Sequence, residues 1–283
     1  MQLRRSYMIV TRFAPSPTGY LHLGHVYSLV YSYEYSKRHN GKFILRIEDI
    51  DFTRCKNHYK DQIIDDLNWL KIPFLRTKDQ SLRRKQYTFA LDYLKGKDLI
   101  YPCWLSRKEA KEALSAPQKE ILNDKQIILN KTEEKNRKKI GLTPAWRLNI
   151  KNCSEYLELS KNNFYWHDEK MGKIKMDIEQ FGDLIIARKD ISTSYHLSVT
   201  IDDNSDGITH IIRGNDLFRF THIHKLLQIL LNLKETKWYH HSLINDEFGN
   251  RIAKRSKPEL TLKNLRESGY SSLQVINLAK SMV

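Results

Sequence analysis

The stretch Arg12-Phe13-Ala14-Pro15-Ser16-Pro17-Thr18-Gly19-Tyr20-Leu21-His22-Leu23-Gly24-His25 decides how this chain begins to fold. An apolar run over residues 7–10 leads into a turn rich in Pro and Gly. A segment with helical periodicity follows: Val26, Leu29, Val30 and Tyr33 recur at the spacing that buries one face of a helix over residues 25–38. Asn40-Gly41 supplies a left-handed stop, and residues 43–47 read as a strand. Strand, turn, helix, strand is a βαβ unit, which predicts a parallel sheet and an α/β fold. The two imidazoles fall at the helix N-terminus. Backbone N–H groups there point outward and carry positive potential, so His22 and His25 form a place to hold phosphate.

Working outward, further helices are expected over residues 55–70 and 82–97, a strand over 99–101, and a capping box at Ser106 and Glu109. Residues 117–142 are rich in Lys, Glu and Asn and read either as a solvated face or as a contact for RNA. Strand-like alternation resumes over 144–148. It returns at Tyr195, Leu197, Val199 and Ile201, which predicts a strand there. Asp206-Gly207 turns the chain into a strand over 208–213. A helix over 221–231, a strand over 240–244, a polar loop over 245–250 and two short terminal helices complete the reading. The expected organisation is a catalytic sheet domain in two halves, 1–100 and 184–244, an inserted subdomain over 101–183, and a loop with a helical tail over 245–283.

The chain of 283 residues carries 48 basic against 33 acidic side chains, a net charge of +15. Such an excess favours a polyanionic partner, because each phosphate neutralised releases counterions. No apolar run long enough to span a bilayer exists, and the N-terminus has no signal-like stretch, so a cytoplasmic protein without membrane association is expected. Cys55, Cys103 and Cys153 are isolated, which argues against disulfides and thiolate metal sites.

A second stretch, Arg251-Ile252-Ala253-Lys254-Arg255-Ser256, stands far from the first. Together the two resemble the signature motifs of class I aminoacyl-tRNA synthetases. Lys254 matches the second lysine of the later motif, while Arg251 and Ala253 depart from it. Arg46-Ile47-Glu48-Asp49-Ile50-Asp51, the run from Thr193 to Asp203 and the run from Ile212 to Leu217 are similar to the glutamyl branch. The resemblance implies a Rossmann-like (HUP-type) parallel sheet, an inserted α+β acceptor-type subdomain and a short helical tail. It also implies activation of L-glutamate by ATP with Mg2+. His22, His25 and Lys254 would serve the phosphates as catalytic groups, with Gly24 beside the base. Arg12, Ala14, Ser16, Glu48, Tyr195 and Arg213 would bind glutamate. Glu48 and Arg213 are both expected at sheet edges, where open α/β sheets bind ligands. Glu48 suits the ammonium, and Arg213 offers a fork-shaped guanidinium for the side-chain carboxylate.

Full-length glutamyl enzymes continue for roughly two hundred residues past the lysine motif, whereas this chain continues for about thirty. Val199 and Leu217 also fit the short branch of the family, which joins glutamate to queuosine at position 34 of tRNA(Asp). The resemblance therefore implies queuosine-bearing tRNA(Asp) as partner and a monomer. The alternative it leaves is a catalytic fragment that charges tRNA(Glu). Many relatives hold zinc in the insertion through a Cys-x-Cys pair. Here Trp104-Leu105 follows Cys103, so a four-ligand structural site is not expected. His222 with His224, and His240 with His241, are expected to be structural or RNA-facing rather than metal ligands.

Overall fold

The computed structural model describes residues 8–105, 129, 131–159, 164–191, 193–244 and 258–282. Strand β1 (Val10–Phe13), helix α1 (Leu23–Arg38) and strand β2 (Lys42–Leu45) form the expected βαβ unit, with β1 and β2 parallel from Val10↔Lys42 to Phe13↔Leu45. Asn40 takes the left-handed conformation at φ 50°, and Gly41 N–H returns to Ser36 O, which closes the helix. Helix α2 (Asn57–Trp69) leads to β3 (Leu75–Arg76), a two-residue strand parallel to β2. Strand β3 was not expected: it is short and exposed, and leaves no alternation to read.

Helix α3 (Arg84–Gly96) follows, and β4 (Ile100–Cys103), β5 (Ala145–Leu148) and β8 (Ile185–Ala187) make a separate antiparallel sheet. Helices α4 (Lys131–Lys139) and α5 (Ile150–Leu159) flank β5 in sequence. Strands β6 (Tyr165–Asp168) and β7 (Gly172–Lys175) form a hairpin. Although these residues fall in the span read as an insertion, β6 pairs with β10 (Lys237–His241), which in turn pairs with β9 (His210–Gly214). The second sheet therefore has the order β7-β6-β10-β9. It meets the first along β1, where Thr209 N–H donates to Val10 O.

The strand expected from Tyr195 to Ile201 is helix α6 (Tyr195–Ser205). Residues 197–203 are all buried, so the apolar residues at alternate positions reflect a helix covered on every side, not a pleat. The Ser194 hydroxyl caps it by accepting from Leu197 N–H. Helix α7 (Thr221–Leu230) joins β9 to β10. Two short helices, α8 (Leu262–Glu267) and α9 (Ser272–Ser281), end the chain as expected. The capping box at Ser106, the polar loop over 245–250 and Lys254 lie outside the described residues. No described helix is long and apolar enough to cross a membrane.

One apolar cluster packs α1, α2, α8 and α9 on the first sheet through Val26, Leu29, Leu45, Leu67 and Val275. A second joins α3, α5, α6 and α7 through Leu94, Cys153, Leu197 and Leu226. Buried charge links the two regions. Asp203 on α6 accepts from Arg12 Nε at 3.1 Å and from Arg46 at 2.8 Å, and Arg46 also donates to Asp206 at 3.0 Å. Arg46 is wholly buried. Removing one member of such a network strands the other charges in a low dielectric. Asp203→Ala is therefore expected to lower stability by about 3–5 kcal/mol in urea unfolding. Lys280→Gln, which breaks the exposed pair with Glu34, should stay within about 0.5 kcal/mol.

Candidate active site

The carboxyl ends of β1 and β9 open into a cavity of about 700 Å³. Its wall on one side is the turn after β1. Glu48 N–H donates to Pro15 O and Arg46 N–H to Phe13 O, so the β1–β2 pairing continues into this turn and fixes Ala14 and Ser16 beside the cavity. Arg12 lines it from β1 and Glu48 from the segment just after β2.

The start of α1 forms the next wall. His22 is the N-cap residue, and its Nδ1 accepts from Gly24 N–H at 3.1 Å. His22 N–H donates to His25 Nδ1 at 3.2 Å. The two histidines thus form a reciprocal cap, with ring centroids 3.8 Å apart. Since each Nδ1 accepts, the proton of each neutral ring belongs on Nε2. A Cβ on Gly24 would stand 2.9 Å from His22 Cε1, so a side chain at position 24 would push the His22 ring aside. The backbone of Thr261 forms a bridge with His22, and Leu262 N–H donates to Leu21 O. Lys254 precedes Thr261 by seven residues, a span of at most about 25 Å when extended.

Arg213 ends β9 and lines the far side with Tyr195 and Leu217. Its guanidinium is buried and fully oriented. Nε donates to His240 Nε2 at 3.1 Å, one terminal nitrogen faces His224 Nδ1 at 3.0 Å, and the other donates to Thr221 Oγ1 at 2.8 Å and Leu217 O at 3.2 Å. His240 gives its Nδ1 proton to Asp168 at 2.7 Å. His224 Nε2 lies 3.0 Å from His196 Nδ1. Burial, reinforced by the Arg213 charge, drives the His196 ring down to about 4 and the His224 ring well below the usual histidine range. The shell around Arg213 is therefore neutral at pH 7. Among the described residues no carboxylate pairs directly with this buried cation.

Glu48 is electrostatically different from Asp203. Burial pushes its carboxyl up to about 7, against the pull of Arg46 and Arg12. Burial also disfavours ionised Asp203, but Arg12 and Arg46 outweigh it and hold that carboxyl below its ordinary value. Glu48 thus changes charge near neutrality while Asp203 stays ionised. Its Oε1 accepts from Arg46 at 3.1 Å.

The cavity therefore gathers Arg12, Ala14, Ser16, His22, Gly24, His25, Glu48, Tyr195 and Arg213. Several groups were not assigned to the site from sequence. His224 and His240, read there as structural or RNA-facing, orient Arg213 together with Asp168. Ser28 and His241, 2.6 Å apart, and Arg54 and Asp216 add polar wall. His222 and His224 in the largely buried run from Thr221 to Leu230 were the available signal, since buried polar side chains there need partners. No group of three or more His, Cys, Asp or Glu side chains arranged to hold a metal is present among the described residues.

The chain belongs to the tRNA synthetases class I (E and Q), catalytic domain, whose family model matches residues 8–282. It is 38% identical over 282 residues to the Glutamyl-Q tRNA(Asp) synthetase of Rhodobacter capsulatus, covering 95% of this chain and 99% of that one. It is 34% identical to Glutamate--tRNA ligase 2 of Bartonella tribocorum, of whose length it spans 60%. The crystal structure of a glutamate tRNA ligase from Elizabethkingia meningosepticum in complex with its amino acid superposes with a TM-score of 0.78 at 25% identity, over 96% of this chain and 60% of that one. Methionyl-tRNA synthetase of Mycobacterium tuberculosis, at 10% identity and a TM-score of 0.57, shares the fold.

The electrostatics have a checkable consequence. Glu48 has a folded-state value raised to about 7 from 4.5, so the native state binds its proton more tightly than the unfolded chain does. Its contribution to stability is complete below about 4.5 and is lost as pH rises to about 7. Carbon-detected NMR titration should give a Glu48 midpoint near 7. Between those pH values the wild type should lose stability relative to Glu48→Gln.

Proposed function

We propose that this chain activates L-glutamate with ATP and transfers it to the queuosine base at position 34 of tRNA(Asp). The observation that carries the glutamate reading is Arg213: a buried, pre-oriented guanidinium in a neutral shell, facing the cavity that also holds His22 and His25. A substrate side-chain carboxylate supplies the counter-ion that the described protein residues do not. Ionised Glu48 receives the substrate ammonium, with Arg12, Ala14 and Ser16 shaping the same pocket. Tyr195 lies along the aliphatic stem.

In the first step an oxygen of the α-carboxylate attacks the α-phosphorus of ATP, and pyrophosphate departs. Negative charge accumulates on phosphoryl oxygens, so positioning and electrostatic stabilisation dominate. The Nε2–H groups of His22 and His25 and the start of α1 donate to them. Gly24 lets the adenine approach the backbone. Lys254 closes on the departing pyrophosphate, and Mg2+ enters with ATP. In the second step a hydroxyl of the queuosine ring attacks the acyl carbon, AMP leaves, and the hydroxyl proton is released. The end-to-end match with the Rhodobacter Glutamyl-Q tRNA(Asp) synthetase favours this acceptor over the 3′ end of tRNA(Glu).

ATP–pyrophosphate exchange over a panel of amino acids tests the first step, and labelled glutamate with queuosine-containing or unmodified tRNA(Asp) tests the second. Exchange should require glutamate, and label should reach only the modified tRNA. Label on the 3′ adenosine of tRNA(Glu) would refute the acceptor. Arg213→Gln should lower kcat/KM for glutamate by about 10²-fold or more, since it removes one member of a buried charge pair. Gly24→Ala should reduce exchange about tenfold or more by displacing the His22 ring. The wild-type rate should rise as pH passes through about 7, where Glu48 ionises.

A further inference from the structure

Strands β6 and β7 bury one face: Trp166 and Asp168 are buried, while Tyr165 and His167 are half-buried and Lys173 and Lys175 exposed. On the buried side Trp166 packs on Trp238, both join Ile211 of β9 in one apolar cluster, and Trp166 meets His222 of α7. The register places alternate residues of the same strands on the opposite face. Lys237 and Tyr239 on β10 stand there beside Tyr165 and His167 on β6, and Lys175 and Lys173 on β7 lie directly across from Tyr165 and His167. Helix α1 packs on the β9 and β10 end of this face, with Tyr31 against Tyr239 and Tyr27 and Ser28 against His241, while Lys173 and Lys175 at the β7 end are exposed. Along its margin α1 presents Tyr27, Tyr31 and Tyr35, one helical turn apart.

The rings are in ordered contact. Tyr31 stacks on Tyr239 with centroids 4.7 Å apart and planes 17° from parallel. Tyr27 meets the edge of His241, a residue of the cavity wall, at 4.9 Å. Lys173 lies over the Tyr165 ring at 4.0 Å. An aromatic track thus runs from the mouth of the cavity onto the sheet face. Its charged groups are mainly basic: Lys173, Lys175 and Lys237 are exposed, and Glu169 is the acid among them, 3.1 Å from Lys237 and 3.6 Å from His210.

Half-buried rings interleaved with lysines are a poor core and a costly solvated surface. They suit bases that stack and a backbone that is negative. We propose that this face is the platform for an unpaired RNA loop. Its bases stack on the track headed by Tyr31 and Tyr239, and the three lysines neutralise its phosphates. The choice of RNA rests on the proposed acceptor, and on the net charge of +15. A loop held there would have its neighbouring nucleotide at His241, on the cavity's rim.

The test is fluorescence anisotropy with a labelled RNA hairpin carrying an unpaired loop, against a blunt duplex of equal length. The hairpin should bind more tightly than the duplex. Tyr31→Ala and Tyr239→Ala should each weaken hairpin binding about tenfold or more, while Tyr239→Phe retains it. Replacing Lys173, Lys175 and Lys237 together by Gln should flatten the dependence of log affinity on log salt by about 0.7 for each phosphate that is no longer neutralised. Pyrophosphate exchange without RNA, run in parallel, separates the two ideas: its absence in the wild type counts against the proposed reaction, not against the platform. Equal binding of duplex and hairpin, or binding indifferent to both sets of variants, would overturn the platform. So would sedimentation showing that Tyr239→Ala dissociates a dimer while RNA binding is unchanged.

Discussion

Asp203 is the interaction on which the arrangement depends. It lies on α6, yet it accepts from Arg12 at the end of β1 and from Arg46 just beyond β2. Three elements separated widely in sequence are thereby fixed at one sheet edge. A buried carboxylate between two guanidinium groups is costly to desolvate, and its attraction to both must offset that cost. The geometry works because Arg46 also reaches Asp206 and Glu48, so the charges share partners instead of standing as one pair. The cavity is defined by this network before any ligand enters.

The same principle produces two unlike carboxyl groups a few ångströms apart. Asp203 receives two arginines and stays ionised; Glu48 receives Arg46 through one oxygen and lies near its titration point. Arginines differ in parallel. Arg12 and Arg46 are matched to acids within the fold, whereas Arg213 is surrounded by His224, His240, Thr221 and a carbonyl. Structural charge is thus neutralised internally, and Arg213 is the buried guanidinium whose direct partners, among the described residues, are all uncharged.

Much of this was legible in the sequence where the determinants are local. The βαβ opening follows from periodicity and from Asn40-Gly41, and His22 and His25 fall at the helix start as read. Arg213 falls near the end of β9 as read, whereas β2 stops at Leu45 and Glu48 lies three residues beyond it. Helix α6 was misread because burial on every side erased the helical stripe and left only an accidental alternation. The shell of Arg213 was invisible for another reason. His224, His240 and Asp168 lie on three different elements, and no local pattern encodes their meeting. Only the presence of two histidines in a helix with a strongly apolar stripe, Ile223, Leu226, Leu227 and Leu230, hinted at it.

The neutral shell around Arg213 bears on selectivity between isosteres. Glutamine matches glutamate in size and outline but brings no charge. Seated in the same place, it would leave a desolvated cation facing only an amide dipole, without a counter-ion. In the proposed reaction, rejection of the amide therefore follows from the protein's own unmet charge, without any steric barrier or corrective hydrolysis.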